Sequence, residues 1–132
     1  MDAYISPRAS KELQAAVLLF SEKDEAGFLI GHKRGHRYFV ENIIHSLTDF
    51  LFTENLFFSL NDIYMDKIIG FFSLSSNKTN RKDFFNPVGV GKILLEVRPE
   101  KNRIFKVKSY QIDYEDGYKL KPLELSLKEI KV

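Results

Sequence analysis

Two short runs, Ile68-Ile69-Gly70-Phe71-Phe72 and Ile93-Leu94-Leu95-Glu96-Val97, constrain the fold more than any other feature of this sequence. Each is almost wholly apolar, rich in β-branched, aliphatic or aromatic side chains, and short for a helix. A strand with one wet face alternates apolar and polar residues, whereas a strand covered on both faces reads as a continuous apolar run. Both runs are therefore expected at the centre of a sheet with cover on either side. One amphipathic helix is available to supply cover. Ser6-Pro7 is a helix start, a capping hydroxyl followed by proline in the first turn, and Leu13, Ala16, Val17 and Phe20 then recur on one face. The stretch Glu22, Lys23, Asp24, Glu25 marks its end.

Phe28-Leu29-Ile30 and Tyr38-Phe39-Val40 are β-prone runs on either side of the polar link Gly31-His32-Lys33-Arg34-Gly35-His36, which predicts a hairpin. From Leu47 to Asp66 the apolar residues fit neither period, and a short helix from about Ser59 to Met65 is expected there. Ser73 to Asp83 reads as a polar loop. A turn at Pro99 to Asn102 leads into Phe105-Lys106-Val107-Lys108, which alternates like a half-exposed strand. Beyond the turn Glu115-Asp116-Gly117, Leu123, Leu125 and Leu127 alternate with polar residues as a last strand, with Pro122 placing its start at an edge. No repeat or linker divides the sequence, so residues 1–132 are expected to form a single domain. Its expected class is α/β with α+β character, a mixed central β-sheet flanked by helices.

Composition removes several chemistries. With no cysteine, disulfides, thiol nucleophiles and thiolate zinc sites are excluded. The 20 Lys and Arg residues against 18 Asp and Glu leave a net charge of +2, a small excess for a protein that neutralises many phosphates, so nucleic acid is not the expected partner. The opening Met1-Asp2-Ala3 lacks the basic-then-apolar pattern of a secretory signal, and no apolar run is long enough to cross a bilayer. A cytoplasmic protein without membrane contact is expected, with no cofactor.

Candidate motifs are few. Gly89-Val90-Gly91-Lys92 resembles the end of a phosphate-binding loop, but Asn86 stands where the first glycine belongs and Ile93 where Ser or Thr would bind magnesium. A turn entering a strand fits better. His32 and His36 would share a face only on a helix, and their setting is a hairpin. With Lys33, Arg34 and Arg37 they form a basic cluster that is either an anion-binding loop or a solvated tip. Ser73, Ser75 and Ser76 follow a central strand, yet no nucleophile elbow surrounds them. Phe50, Phe52, Phe57 and Phe58 are a candidate partner surface, or else a segment tucked over the core.

Taken in order, these segments resemble the JAB/MPN (JAMM) domain family, of cytidine-deaminase-like architecture. The likeness spans residues 5–112. It rests on the amphipathic helix, an acidic residue, the strand Gly27-Phe28-Leu29-Ile30-Gly31, a second strand from Arg37 to Ile44, then the runs at 68–72, 93–97 and 104–108. Active members hold zinc through His-x-His-Pro and a later Asp, with a Glu ahead of the glycine strand, and cleave isopeptide or related amide bonds. On Gly70-Phe71-Phe72, the two histidine positions fall on Ser73 and Ser75, the proline on Ser76, and Asp83 is the nearest later carboxylate. The glutamate position falls on Asp24, one methylene short. Serine hydroxyls are not among the usual zinc ligands, and without bound zinc no water is activated. The resemblance thus implies a catalytically degenerate domain that binds no metal and acts as a protein–protein interaction or scaffold module, with a homodimer among its expected forms. Two alternatives stay open. One is a metal-dependent hydrolase with a rearranged site of Asp24, Asp83 and a histidine. The other is weak phosphate or nucleic-acid binding through Lys33, Arg34 and Arg37 or through Lys78, Arg81 and Lys82.

Overall fold

A computed structural model describes the backbone of residues 1–20, 25–45, 54–64, 66–74 and 84–131, and the side chains of these except residues 20, 25 and 54–57. The chain begins with β1 (Asp2–Ile5) and enters α1 (Pro7–Phe20) through a cap. The Ala9 N–H donates to the Ser6 hydroxyl at 3.0 Å, satisfying one of the amides a helix start leaves unpaired. The Ser6 hydroxyl in turn donates to the Glu41 carbonyl at 2.9 Å, fixing the helix start against the next hairpin.

That hairpin is β2 (Glu25–Arg34) and β3 (Arg37–His45). The expected link at residues 31–36 is not a loop. The strands run through it to the pair Arg34–Arg37, leaving Gly35 and His36 as a two-residue turn. Gly35 has φ of 58°, which glycine adopts without steric cost. The charged residues misled because an exposed hairpin end is as polar as a loop.

Next comes α2 (Glu54–Ile63), which begins five residues before the expected Ser59. Leu60 and Tyr64 pack inward while Phe58 and Ile63 face out, so apolar residues on both sides blur the helical period. β4 (Ile68–Leu74) is buried at every residue, as its apolar run predicts, and extends past the expected end to include Ser73. A short 3₁₀ turn (Pro87–Gly89) leads into β5 (Ile93–Pro99), β6 (Ile104–Tyr114) and β7 (Tyr118–Pro122). The expected last strand is broken up: Pro122 ends β7 instead of starting it. Only Glu124–Leu125 (β8) pair, with β1, before Glu129–Lys131 (β9) return to β6.

Among the described residues nine strands form one mixed sheet, in the order β7-β6-β5-β4-β2-β3-β1-β8, with β9 on β6. β4 is parallel to β5, β1 is parallel to β3, and the rest of the central pairs are antiparallel. Because β8 and β9 join the β1 end to β6, the sheet curls nearly closed around α1. Leu13, Ala16 and Val17 of the helix fill that concave side with Leu29, Val40, Phe72 and Leu95. The outer side packs Phe28, Phe71, Phe84 and Leu94 under Leu60 of α2 and Tyr64 just beyond it. Each fully buried ring or aliphatic side chain contributes about 1.5–3 kcal/mol. A bulge at Ile69 lets it join Phe72 on the α1 side, where strict alternation would place it with Phe71. No described helix is long and apolar enough to cross a membrane.

Candidate functional site

The end of β4 is where the resemblance places a metal. Ser73 sits there at 2% exposure, between Ala26 of β2 and Glu96 of β5 in the hydrogen-bonded register. All three share the outer face, since their neighbours two residues away, Phe28, Phe71 and Leu94, belong to the α2-side cluster. Glu96 is 1% exposed, with Arg98 Nη2 3.6 Å from its Oε1 and Lys108 directly opposite on β6. A buried carboxylate in an otherwise apolar strand needs such cations nearby. Glu96 was legible as the one charge in Ile93–Val97, but its place beside Ser73 depends on strand order.

The remaining family positions, Asp24, Ser75 and Asp83, lie outside the described residues. His45 cannot stand in for the missing imidazoles beside Ser73. Its ring lies 6.4 Å from that of Phe72, on the α1 side of the sheet, opposite the face that carries Ser73. Among the described residues no three His, Asp or Glu side chains converge as metal ligands. A hydroxyl beside a carboxylate is a poor donor set for zinc, which takes imidazole, thiolate and carboxylate. The described residues at this strand end do not fit the ion.

The two glycines of the family-like strand have a physical reason. A Cβ on Gly27 would stand 2.1 Å from the Ile44 carbonyl oxygen, and one on Gly31 1.8 Å from that of Phe39. β3 runs so closely beside β2 at both positions that a side chain there would meet its backbone.

The basic cluster is divided by the hairpin. His32, Arg34 and Arg37 share one face, because His32 pairs with Phe39 and Arg34 with Arg37, while Lys33 pairs with Tyr38 on the other. His32 Nδ1 lies 2.5 Å from Glu41 Oε1, and its ring stacks on Phe39 at 4.9 Å. Arg37 donates twice to the Asp2 carboxylate, at 2.9 and 2.8 Å, a bidentate pair that holds the Asp2 pKa below the usual carboxylate value. His36 is in the turn. Two of the five are thus already paired with carboxylates, and the cluster does not converge on one point.

Of the candidate partner surface, Phe50 and Phe52 and the Phe57 side chain lie outside the described residues. Phe58 is 51% exposed on α2, and Ile63, five residues further on at the end of the helix, is 69% exposed.

The fold is therefore that of a mixed α+β protein with a nearly closed sheet. No protein-family model matches the chain, and no curated protein matches it in sequence. Among solved structures it is similar to the solution structure of protein DSY2949 from Desulfitobacterium hafniense. The TM-score is 0.62 at 16% identity, covering 96% of this chain and 94% of that one, a likeness of fold alone.

Proposed function

We propose that this chain is a catalytically degenerate JAB/MPN-like domain that works as a protein–protein interaction module, with a second copy of itself as the first partner to test. The observation that carries the reading is Ser73. A buried hydroxyl stands at the end of β4 where the resemblance places the first imidazole, and its neighbour on β5 is the carboxylate of Glu96. The element order supports it too: a helix after β1, a hairpin whose first strand carries Gly27 and Gly31, a helix, and a central strand parallel to the next. The apolar side chains on the outward side of α2, Phe58 and Ile63, are where a partner would gain contact area.

Sedimentation velocity from micromolar to millimolar protein tests the pairing. The expected result is a concentration-dependent dimer that Phe58→Ser and Ile63→Ser weaken. A monomer throughout the range, or a dimer indifferent to both substitutions, contradicts pairing through α2.

A further inference from the structure

At the other end of the sheet from Ser73, the strand starts of β4 and β5 and the hairpin end of β2 enclose a cleft of about 320 Å³. We propose that this cleft binds a small oxyanion, a phosphate group free or as a compact monoester, between Lys33, Lys67 and Lys92. The proposal is independent of the interaction role argued above.

The lysines come from three segments that only the sheet brings together. Lys67 immediately precedes β4, and its carbonyl accepts from the Gly31 amide at 2.9 Å, which docks it beside β2. Lys33, two residues along β2, holds its ammonium 5.0 Å from the centre of the Tyr38 ring, a cation–π contact that orients it. Lys92 immediately precedes β5, the strand beside β4. Among the described residues lining the cleft, Lys33, Lys67 and Lys92 stand with Asp66 as the one carboxylate, so cations outnumber anions there. A concave site with apolar walls focuses such an imbalance onto whatever enters. Burial holds the Lys92 pKa below the ordinary lysine value, with the Asp66 carboxylate pulling it back up. An anion would act in the same direction as Asp66.

The mode of binding differs from a phosphate-binding loop. There, backbone amides of a glycine-rich turn cradle the phosphate. Here the Gly91 amide donates to the Ile112 carbonyl at 2.8 Å and the Lys92 amide to the Gly89 carbonyl at 3.0 Å, so both are spent in the turn and sheet. The Tyr38 hydroxyl donates to the Gly91 carbonyl at 2.5 Å and accepts from Gln111 Nε2 at 2.9 Å, which makes it a rigid wall. Affinity must come from the ammonium groups. The cleft is at the small end of ligand sites, which span roughly 300–1,000 Å³, and this favours a compact anion over a nucleotide or a nucleic-acid strand.

The test is an NMR titration of isotope-labelled protein with inorganic phosphate and, separately, glycerol 2-phosphate, at constant ionic strength set by chloride. Saturable shifts centred on Lys33, Lys67, Gly91 and Lys92 are expected. Tighter binding of the ester would identify a monoester as the ligand, and equal or tighter binding of inorganic phosphate the free anion. Lys92→Met and Lys67→Met should each weaken binding by roughly tenfold or more, the worth of one charge-assisted contact. Asp66→Asn should tighten it severalfold. Asparagine tolerates the φ of 61° at this position and can still accept from the Asn61 side chain. Non-saturable shifts, a response centred instead on Arg34 and Arg37, or unchanged affinity in Lys92→Met would overturn the proposal. If the lysine variants fail to fold, weaker binding by Asp66→Asn would do the same.

Discussion

Gly27→Ala probes the closeness of the sheet at a position that the resemblance also singles out. The added methyl would lie 2.1 Å from the Ile44 carbonyl oxygen and 2.5 Å from Cε1 of Phe72. Phe72 is fully buried and has nowhere to swing, and the carbonyl belongs to β3 backbone. β3 must therefore retreat by roughly 1 Å before the contact becomes tolerable in a close-packed interior. Overpacking of this kind costs about 1–3 kcal/mol. Each interstrand hydrogen bond stretched by the retreat adds about 1 kcal/mol. Loss of glycine's unfolded-state freedom returns roughly 0.4–1 kcal/mol. The net loss is about 2–4 kcal/mol, a large share of a typical total of about 5–15 kcal/mol. In urea unfolding, with a slope of about 1–3 kcal/mol per M, the midpoint should fall by roughly 1–2 M. Gly35→Ala is the control. Nothing lies within 4 Å of its Cβ position, and only its φ of 58° penalises alanine. That costs about 1–2 kcal/mol. If Gly27→Ala unfolds with the parent, or later than Gly35→Ala, β3 does not run beside β2 as closely as described.

Other consequences follow from side-chain networks. Tyr38→Phe removes a buried hydroxyl that bridges Gly91 and Gln111, and should cost about 1–2 kcal/mol in chemical denaturation; an unchanged midpoint would mean that the bridge is not formed in solution. Hydrogen bonds from Arg37, Lys121 and Lys119 hold the pKa values of Asp2, Asp113 and Glu115 below their ordinary values of 3.8, 3.8 and 4.5. Depressed carboxylate pKa values contribute stability that is full above the ordinary values and lost as pH falls through the folded ones. Thermal scans through that acid window should therefore show a steeper fall for the parent than for an Arg37→Gln, Lys121→Gln variant, and equal slopes would refute the pairing. Lys92 is linked with the same sign but in the alkaline range, and as a penalty on its charged form. Its folded pKa lies below the unfolded 10.5, so the unfolded chain binds more protons and stability rises as pH climbs between the two values. Lys92→Met should melt higher than the parent at neutral pH without anion, and a lower melting temperature would show that the charge is not penalised there.

The sheet's centre was legible because Ile68–Phe72 and Ile93–Val97 have no polar face to misread. The Ser6 cap was legible because it is a local contact. Less could be read where a side chain's environment is set by a distant strand. Ser73 looked like the first residue of a polar loop because a buried hydroxyl and a wet one are spelled alike, and only pairing with Ala26 and Glu96 places it inside. The basic residues 32–37 looked like one cluster because sequence proximity says nothing of alternation, which sends Lys33 to one face and His32, Arg34 and Arg37 to the other. The lysine cleft was invisible for the same reason: its three members are 34 and 25 residues apart in sequence, at positions 33, 67 and 92, and only the order β2-β4-β5 joins them.

The central claim of the proposed function is that the end of β4 does not support metal-dependent amide cleavage. Elemental analysis of protein purified without chelator, paired with a peptidase assay on an isopeptide-linked substrate, tests it directly. Zinc far below one per chain, with no cleavage above background, is the predicted outcome. Zinc at one per chain, removed by a chelator together with turnover, would contradict it.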